Sequence, residues 1–291
     1  MSALAVEAAC DTDSIDRFTA REFAQLARFI EGYSGIKMPA TKKTMVEGRL
    51  RRRVRAHRLG SLSEYHRYLF EDGGLQTETI DLIDAVTTNK TEFFREPAHF
   101  QVLAQTVLPE IANARQIGHR TPLKMWSAAC STGAEPYTMA MVAADFGRDR
   151  QGFHMSILGT DLCTAVLEVA VRGIYAEAMI APVPAESRRR YLMTARDPAR
   201  QEVRIVPELR RVTRYGRLNL MAGKYPVDKD MDVIFCRNIL IYFDKTTQES
   251  VLNRLCSHLR PGGYLFLGHS ESLAGISLPL KPIGNTVFRR V

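Results

Sequence analysis

The chain has 291 residues, 45% of them hydrophobic, with a formal net charge of +8. That is the composition of a soluble globular protein with one large domain or two unequal ones, and the positive balance favours an anionic partner: nucleic acid, a membrane surface or an acidic protein. Five scattered cysteines (Cys10, Cys130, Cys163, Cys236, Cys256) form no Cys-x-x-Cys pair, which argues against a disulfide framework or a cysteine-held zinc and fits a reducing, cytoplasmic compartment. No window is long enough for a membrane span, and Met1–Cys10, with Glu7 and no basic start, is not expected to be a signal peptide.

Residues up to about Asp16 read as a loose terminus. Thr19 and Glu22 then have the spacing of a capping box, with Phe18 and Phe23 placed as a staple, and start a helix that runs to Gly32 or Gly35. A second helix is predicted over Lys42–Leu59, with Gly60 taking the left-handed conformation that ends it. Val46, Leu50 and Val54 form its apolar stripe. Arg51, Arg52, Arg55 and Arg58 lie opposite, flanked by Arg49 and Arg53. Lys37–Arg58 holds nine Lys or Arg against the single acid Glu47, so the face has one sign, whereas a merely solvated face mixes both. Ser61 and Glu64 form a second capping box for a helix through Phe70, and Thr77–Val86 is a fourth helix. Residues 14–86 are thus expected to form an all-helical domain.

The stretch Thr87–Pro97 is polar, then aromatic at Phe93-Phe94, then stopped by a proline suited to the first turn of a helix over Ala98–Leu108. A plain linker explains its polarity but not the two phenylalanines, so it is expected to lie across a pocket. Leu123–Ala129 is a short apolar strand, Cys130–Pro136 a turn, and Tyr137–Phe146 a helix. The lone Gly133 is a poor match to a dinucleotide fingerprint. Met155–Gly159 is the next strand. It ends at Asp161, placed either to accept ribose hydroxyls or to cap the helix beginning at Thr164. The arginine-rich stretch 182–217 breaks the alternation. Its strand-like segments at 202–206 and 211–215, separated by Pro207-Glu-Leu-Arg, suggest a small antiparallel insertion, after which Leu218-Asn219-Leu220 returns to the sheet.

Val233–Cys236 is a continuous apolar run that suits the middle of a parallel sheet. It stops abruptly at Arg237-Asn238, where a strand tip meets a cleft, and Tyr242 follows before Asp244 caps a helix over Thr246–Leu259. Pro261-Gly262-Gly263 turns into the strand Tyr264–Gly268, with His269-Ser270-Glu271 at its end. A terminal hairpin then completes a mixed, doubly wound α/β sheet. His269 and Cys236 attract attention as chemistry-bearing groups, but packing or a satisfied strand end accounts for each.

Leu259–Leu265, the acidic second-strand tip and the missing dinucleotide glycines resemble class I methyltransferases that use S-adenosylmethionine, with a Rossmann-like sheet. Three longer motifs, Thr87–Glu96, Trp126–Tyr137 and Ile234–Lys245, resemble the CheR family, the chemotaxis receptor methyltransferases that methylate receptor glutamates. The resemblance covers nearly the whole chain. It implies an N-terminal helical domain at 14–86, a pocket-forming linker at 87–98 and a catalytic domain at 99–291 with an inserted β-subdomain at about 186–216. It also implies that Asn89, Thr91 and Arg95 reach over the cofactor, with Arg95 pairing with the methionine carboxylate. Glu135 would hold its amino group and Asp161 the ribose hydroxyls. Asn219, Leu220, Arg237 and Asn238 would border the adenosine and the sulfonium end, and Tyr242 the entry of the substrate glutamate. Arg95 and Tyr242 would be the catalytic pair, with no metal and with S-adenosylhomocysteine as product. Arg49, Arg51, Arg52, Arg53, Arg55 and Arg58 would dock the acidic helical cytoplasmic region of a receptor. The protein is expected to be a monomer that neither binds nucleic acid nor inserts into the membrane.

A glutamate is already ionised near neutral pH, so this transfer needs alignment and desolvation more than a base. Two other readings stay open at this point: a nucleic-acid methyltransferase that places the basic helix on phosphates, and a non-catalytic binder of S-adenosylmethionine. Missing prolines after Asn238 weigh against the first, and the presence of Arg95, Asn238 and Tyr242 weighs against the second. One departure stands out. Relatives that tether to a receptor tail carry glycines in the inserted subdomain, and Met193–Glu202 has none, so tail tethering is not expected.

Overall fold

The computed structural model describes residues 16–115, 121–197 and 199–291; the terminus expected to be loose lies outside them up to residue 15. The described chain divides into two compact units, one of residues 16–29 and Met38–Val86 and one of Ile30–Lys37 and Thr87–Val291. No helix among the described residues is long and apolar enough to cross a membrane.

The first unit is helical. Helix α1 (Ala20–Ser34), whose C-terminal end is counted with the second unit, starts on the expected capping box. The Thr19 N–H donates to Glu22 Oε2 at 2.6 Å and the Glu22 N–H to Thr19 Oγ1 at 3.2 Å, above a buried Phe18 and Phe23. A 3-10 turn at Ala40–Lys42 leads into α2 (Lys43–Ala56), which buries Val46, Leu50 and Val54 as one stripe. The residue that ends α2 in the left-handed region is Arg58 (φ 56°), not Gly60. The Leu59 N–H reaches back to the Val54 carbonyl at 3.0 Å, and this six-to-one closure makes the residue just before Leu59 the one that reverses. Helices α3 (Leu62–Phe70) and α4 (Leu75–Val86) complete the unit. At the start of α3 the box is half formed. Ser61 Oγ accepts from the Glu64 N–H at 3.1 Å, but the Glu64 carboxylate turns to the Gly60 N–H at 2.7 Å.

In the second unit, α5 (Pro97–Val102) begins with its proline in the first turn and passes through a π turn, Leu103–Val107, into α6 (Leu108–Arg115). Strand β1 (Leu123–Ala128), α7 (Ala134–Gly147), β2 (Met155–Asp161) and α8 (Thr164–Arg172) follow, and α8 closes on Gly173. Next come β3 (Ile174–Ala176), α9 (Ala185–Tyr191), β4 (Leu192–Thr194), β5 (Glu202–Ile205), α10 (Pro207–Val212) and β6 (Thr213–Arg217). The last group is β7 (Met231–Cys236), a 3-10 turn at Leu240–Tyr242, α11 (Lys245–His258), β8 (Leu259–Leu267), β9 (Leu280–Gly284) and β10 (Val287–Arg290).

The main sheet has the order β6-β2-β1-β7-β8-β10-β9. The pairs β6–β2, β2–β1, β1–β7 and β7–β8 are parallel, and the terminal hairpin is antiparallel. All six residues of β7 are buried, as a run covered on both faces requires. The chain winds outward from β1 through β2 to β6, then returns to start again at β7, so the strand order reverses between β1 and β7. In open α/β sheets ligands bind at such a point, beyond the carboxyl ends of the strands.

The insertion differs from its expected form. Thr213–Arg217 is not part of it: Ile157 pairs with Thr213 and Asp161 with Arg217 in parallel register at the edge of the main sheet. The separator Pro207-Glu-Leu-Arg is helical, and a helical crossover delivers the next strand parallel instead of folding it back. Leu218–Leu220 is correspondingly a turn and not a strand. The inserted sheet has the order β3-β5-β4, is antiparallel, and runs from Ile174 to Ile205.

Candidate active site

The tips of β1 and β2 are tied by one carboxylate. Asp161 Oδ2 accepts the Ser131 N–H at 2.8 Å and Oδ1 accepts the Cys163 N–H at 2.9 Å. The Asp161 carbonyl accepts the Leu218 N–H at 2.9 Å, which draws the Asn219-Leu220 turn to the same edge. The loop after β1 runs through left-handed Ala129, Ser131 and Gly133. At Gly133 (φ 87°) a Cβ would lie 2.7 Å from the Ala170 Cβ and 2.9 Å from the Tyr215 hydroxyl, so only glycine lets α7 start this close to its neighbours. Ser131 Oγ donates to the Asn89 carbonyl at 2.8 Å, and Asn89 Nδ2 donates to Thr87 Oγ1 at 3.3 Å and lies 3.5 Å from Cys163 Sγ. The 87–96 segment therefore lies over the strand tips. Phe93, fully buried, anchors it edge-on against Tyr175 at 4.9 Å, and the Phe94 N–H donates to Thr138 Oγ1 at 3.2 Å. Thr91 and Arg95 are half-buried on this segment, with Arg95 Nη1 donating to the Lys90 carbonyl at 3.1 Å.

Arg237 is the hub. Its side chain is 1% exposed. Nη1 donates to Glu135 Oε2 at 2.9 Å, and Nη2 donates to Glu96 Oε2 at 2.8 Å and to the Arg95 carbonyl at 2.5 Å. Glu135 Oε1 accepts from Ser127 Oγ at 2.7 Å, and Glu96 Oε1 from Asn238 Nδ2 at 3.1 Å. One guanidinium thus joins the 87–96 segment, the start of α7 and the tip of β7 through charge-assisted bonds. Burial works against the charge of Glu96, but the hydrogen bonds from Arg237 and Asn238 and the Arg237 charge outweigh it and hold the carboxyl at about 2. His99, buried beside it, is pushed down to about 4 by desolvation and then by Arg237, so it is neutral at pH 7. Glu96, His99 and His269 each bring one potential ligand atom within 4.8 Å of the others. Both Glu96 oxygens are already held by Arg237 and Asn238, and a guanidinium 2.8 Å away opposes a further cation.

Beyond Arg237 the chain reverses at Asn238, a non-glycine residue at φ 60°. The next turn carries half-buried Tyr242, whose carbonyl accepts the Lys37 N–H at 3.2 Å. Asn219 is held on both sides of its amide, Nδ2 donating to the Tyr33 carbonyl at 2.6 Å and Oδ1 accepting the Met221 N–H at 2.9 Å. Leu220 is buried, and its carbonyl accepts from Tyr225 Oη at 2.7 Å and Arg254 Nη2 at 3.0 Å. Bonded contacts thus link Asn89, Arg95, Glu135, Asp161, Arg237 and Asn238 around the strand tips. Glu96, Ser131, Tyr33 and Glu271 join the site without a role assigned from the sequence. Glu271 had the clearest signal, an acid three residues past a strand-ending glycine.

The arginine face of α2, in the first unit, is less free than its sequence suggests. Arg53 makes two bonds of 2.7 Å to Glu78 and lies 3.1 Å from Asp81, Arg49 donates to the Val86 carbonyl at 2.6 Å, and Arg51 to the Asp16 carbonyl at 2.6 Å. The acids missing from α2 come from α4 and from Asp16. Arg52, Arg55 and Arg58 are exposed.

Two family models match the chain in tandem: "CheR methyltransferase, all-alpha domain" over residues 21–87 and "CheR methyltransferase, SAM binding domain" over residues 89–288. The chain is 35% identical over 271 residues to chemotaxis protein methyltransferase 2 of Pseudomonas aeruginosa, covering 93% of each chain. It is 38% identical to the chemotaxis protein methyltransferase of Salmonella typhimurium (91% of this chain, 88% of that one) and 37% identical to that of Escherichia coli (91% and 89%).

Proposed function

The chain belongs to the CheR methyltransferase family and is an S-adenosylmethionine-dependent methyltransferase, and from that premise we propose that it esterifies the side-chain carboxylates of specific glutamates in chemotaxis receptors, as a cytoplasmic monomer. The observation that carries this reading is the donor and acceptor set gathered at the switch point. Asp161, a carboxylate held at the tip of the second strand by two backbone N–H groups, is of the chemical type that accepts from a ribose diol. Glu135 keeps lone pairs for an ammonium. Arg95, with one of its N–H groups on the Lys90 carbonyl, keeps a planar fork of donors for an α-carboxylate. That is the polar complement of an amino-acid nucleoside, and it supports S-adenosylmethionine as the group held there.

Bound S-adenosylmethionine supplies an electrophilic methyl group on a positively charged sulfur. The residues here need only bind, orient and exclude water. Asn89, Thr91, Asn219 and Leu220 border the nucleoside; Arg237 and Asn238 fix the wall beside the reacting end; Tyr242 guides the entering glutamate, which is already ionised and carries its own nucleophile. The proposed docking surface on the helical unit narrows to Arg52, Arg55 and Arg58, a positive field for an acidic receptor bundle. The loop between β4 and β5 has no glycine, and we take the enzyme to act without gripping a receptor tail. Calorimetry with tail peptides tests this, and micromolar binding would overturn it.

The deciding experiment incubates the protein with receptor membranes and methyl-labelled S-adenosylmethionine and measures alkali-volatile label. Label on receptor glutamates, abolished by Arg95→Ala in a variant that melts like the parent, is the expected result. Label in nucleic acid, or none, would refute the reading.

A further inference from the structure

Three successive backbone N–H groups, those of Asn238, Ile239 and Leu240, converge on one carboxylate, that of Glu271, at 3.0, 2.8 and 2.7 Å; the Gly268 N–H adds a fourth bond at 2.6 Å. Consecutive N–H groups arranged in this way form a nest, a concavity that binds anions. Here the chain fills its own nest. The four donors use the four lone-pair positions a carboxylate has, and Glu271 is 6% exposed, so no water completes the set. The approach is as close as backbone permits: a Cβ on Gly268 would lie 2.6 Å from Asn238 Nδ2 and 2.9 Å from its N.

The nest lies at the tip of β7. Its first residue is the left-handed Asn238, whose side chain bonds Glu96, and its last residue opens the turn that carries Tyr242. An empty nest there would present partial positive charge beside a path meant for a carboxylate. We propose that Glu271 is a positioning residue for methyl transfer: it holds the 238–240 turn in the shape that aims Asn238 at Glu96 and sets Tyr242, and it keeps the nest from capturing the substrate's carboxylate. This rests on the glutamate methyltransferase reading given above.

The test uses full-length protein and two variants. In Glu271→Gln the amide has the same shape but points two N–H bonds at backbone donors. Methylation of receptor membranes should lose about tenfold to hundredfold in kcat, with a smaller change in KM. In Glu271→Ala the nest is open to a small anion. Acetate, against chloride at equal ionic strength, should raise its Tm and restore part of its kcat, while the parent responds to neither. A Gln variant within about twofold of the parent in kcat would overturn the proposal. So would an Ala variant whose Tm and kcat ignore acetate, since that is the behaviour of a residue that only supports the fold. If the Ala variant does not fold, the Gln result decides. An inactive parent would refute the glutamate reading instead, and the acetate-dependent melting of Glu271→Ala would still test the nest.

Discussion

Replacing Arg237 by Met removes the cation from between Glu96 and Glu135 while keeping most of the side-chain length. The loss can be sized from Glu96. Compared with an ordinary glutamate, a carboxyl held at about 2 reflects at most ~3 kcal/mol of favourable surroundings. Its side chain retains 14% exposure, and screening by that water brings the figure to ~2 kcal/mol. The unpaired Glu135 and the undonated Arg95 carbonyl add to this, so unfolding free energy should fall by about 3–5 kcal/mol at pH 7, the range for breaking a buried ion pair from one side. The sign of the pH dependence is fixed by the same geometry. In the parent the Glu96 pKa is depressed, so its contribution is fully present above the ordinary glutamate pKa and is lost only as pH falls toward 2. In the variant, burial without Arg237 raises the Glu96 pKa, and its penalty is relieved as pH falls and it takes up a proton. Urea unfolding at pH 7 and pH 4 should therefore show the gap between parent and variant narrowing at the lower pH. A gap under about 1 kcal/mol at pH 7, or one that is the same at both pH values, would refute the hub.

Other substitutions test other parts. Gly268→Ala should cost about 1–3 kcal/mol of stability because its Cβ must displace the Asn238 amide; denaturant midpoints check it, and a midpoint unchanged from the parent would count against the close approach. Glu78→Gln should destabilise the helical unit by about 2–4 kcal/mol, since it breaks contacts to Arg53, Tyr65 and His57. Burial opposes the charge of Glu78, but these three partners outweigh it and depress its pKa, so its contribution is present above the ordinary glutamate pKa and fades as pH drops through the lowered value, which thermal melts across that window would follow. Replacing Arg52, Arg55 and Arg58 together by Ala should raise the KM for receptor membranes about tenfold at low salt with kcat unchanged, and the difference should shrink at high salt. Arg53→Ala, by contrast, should act on stability.

The parts of the fold that could be read from the sequence are those decided locally. Val233–Cys236 declared itself as a central strand because a strand covered on both faces needs four apolar residues in succession, and Asp244 declared the next helix because its carboxylate caps the Thr247 N–H at 2.7 Å. The tips of the sheet were legible as places where polar residues follow apolar runs, which brought Asp161, Arg237 and Asn238 forward. What the sequence hid was set by partners far along the chain. Nothing near Arg237 indicates that Glu96 and Glu135 flank it from positions 141 and 102 residues away. The arginines of α2 looked uncompensated because Glu78 and Asp81 lie on another helix. The segment 211–215 reads as an antiparallel strand because a six-residue helix beginning at Pro207 resembles a turn in a window that short.

The pairing of charges around the strand tips bears directly on the chemistry. An enzyme that methylates carboxylates next to a sulfonium must not offer its own. Glu96 accepts from Arg237 and Asn238, Glu135 from Arg237 and Ser127, Asp161 from two backbone N–H groups, and Glu271 from four. Each such bond draws electron density from an oxygen that would otherwise attack, and charge-assisted bonds draw the most. On the glutamate reading proposed above, these bonds would set Glu96, Glu135 and Asp161 apart from an incoming substrate carboxylate. On the proposed reading, carboxylates already engaged in hydrogen bonds beside a substrate carboxylate that is not would favour transfer to the substrate without a general base.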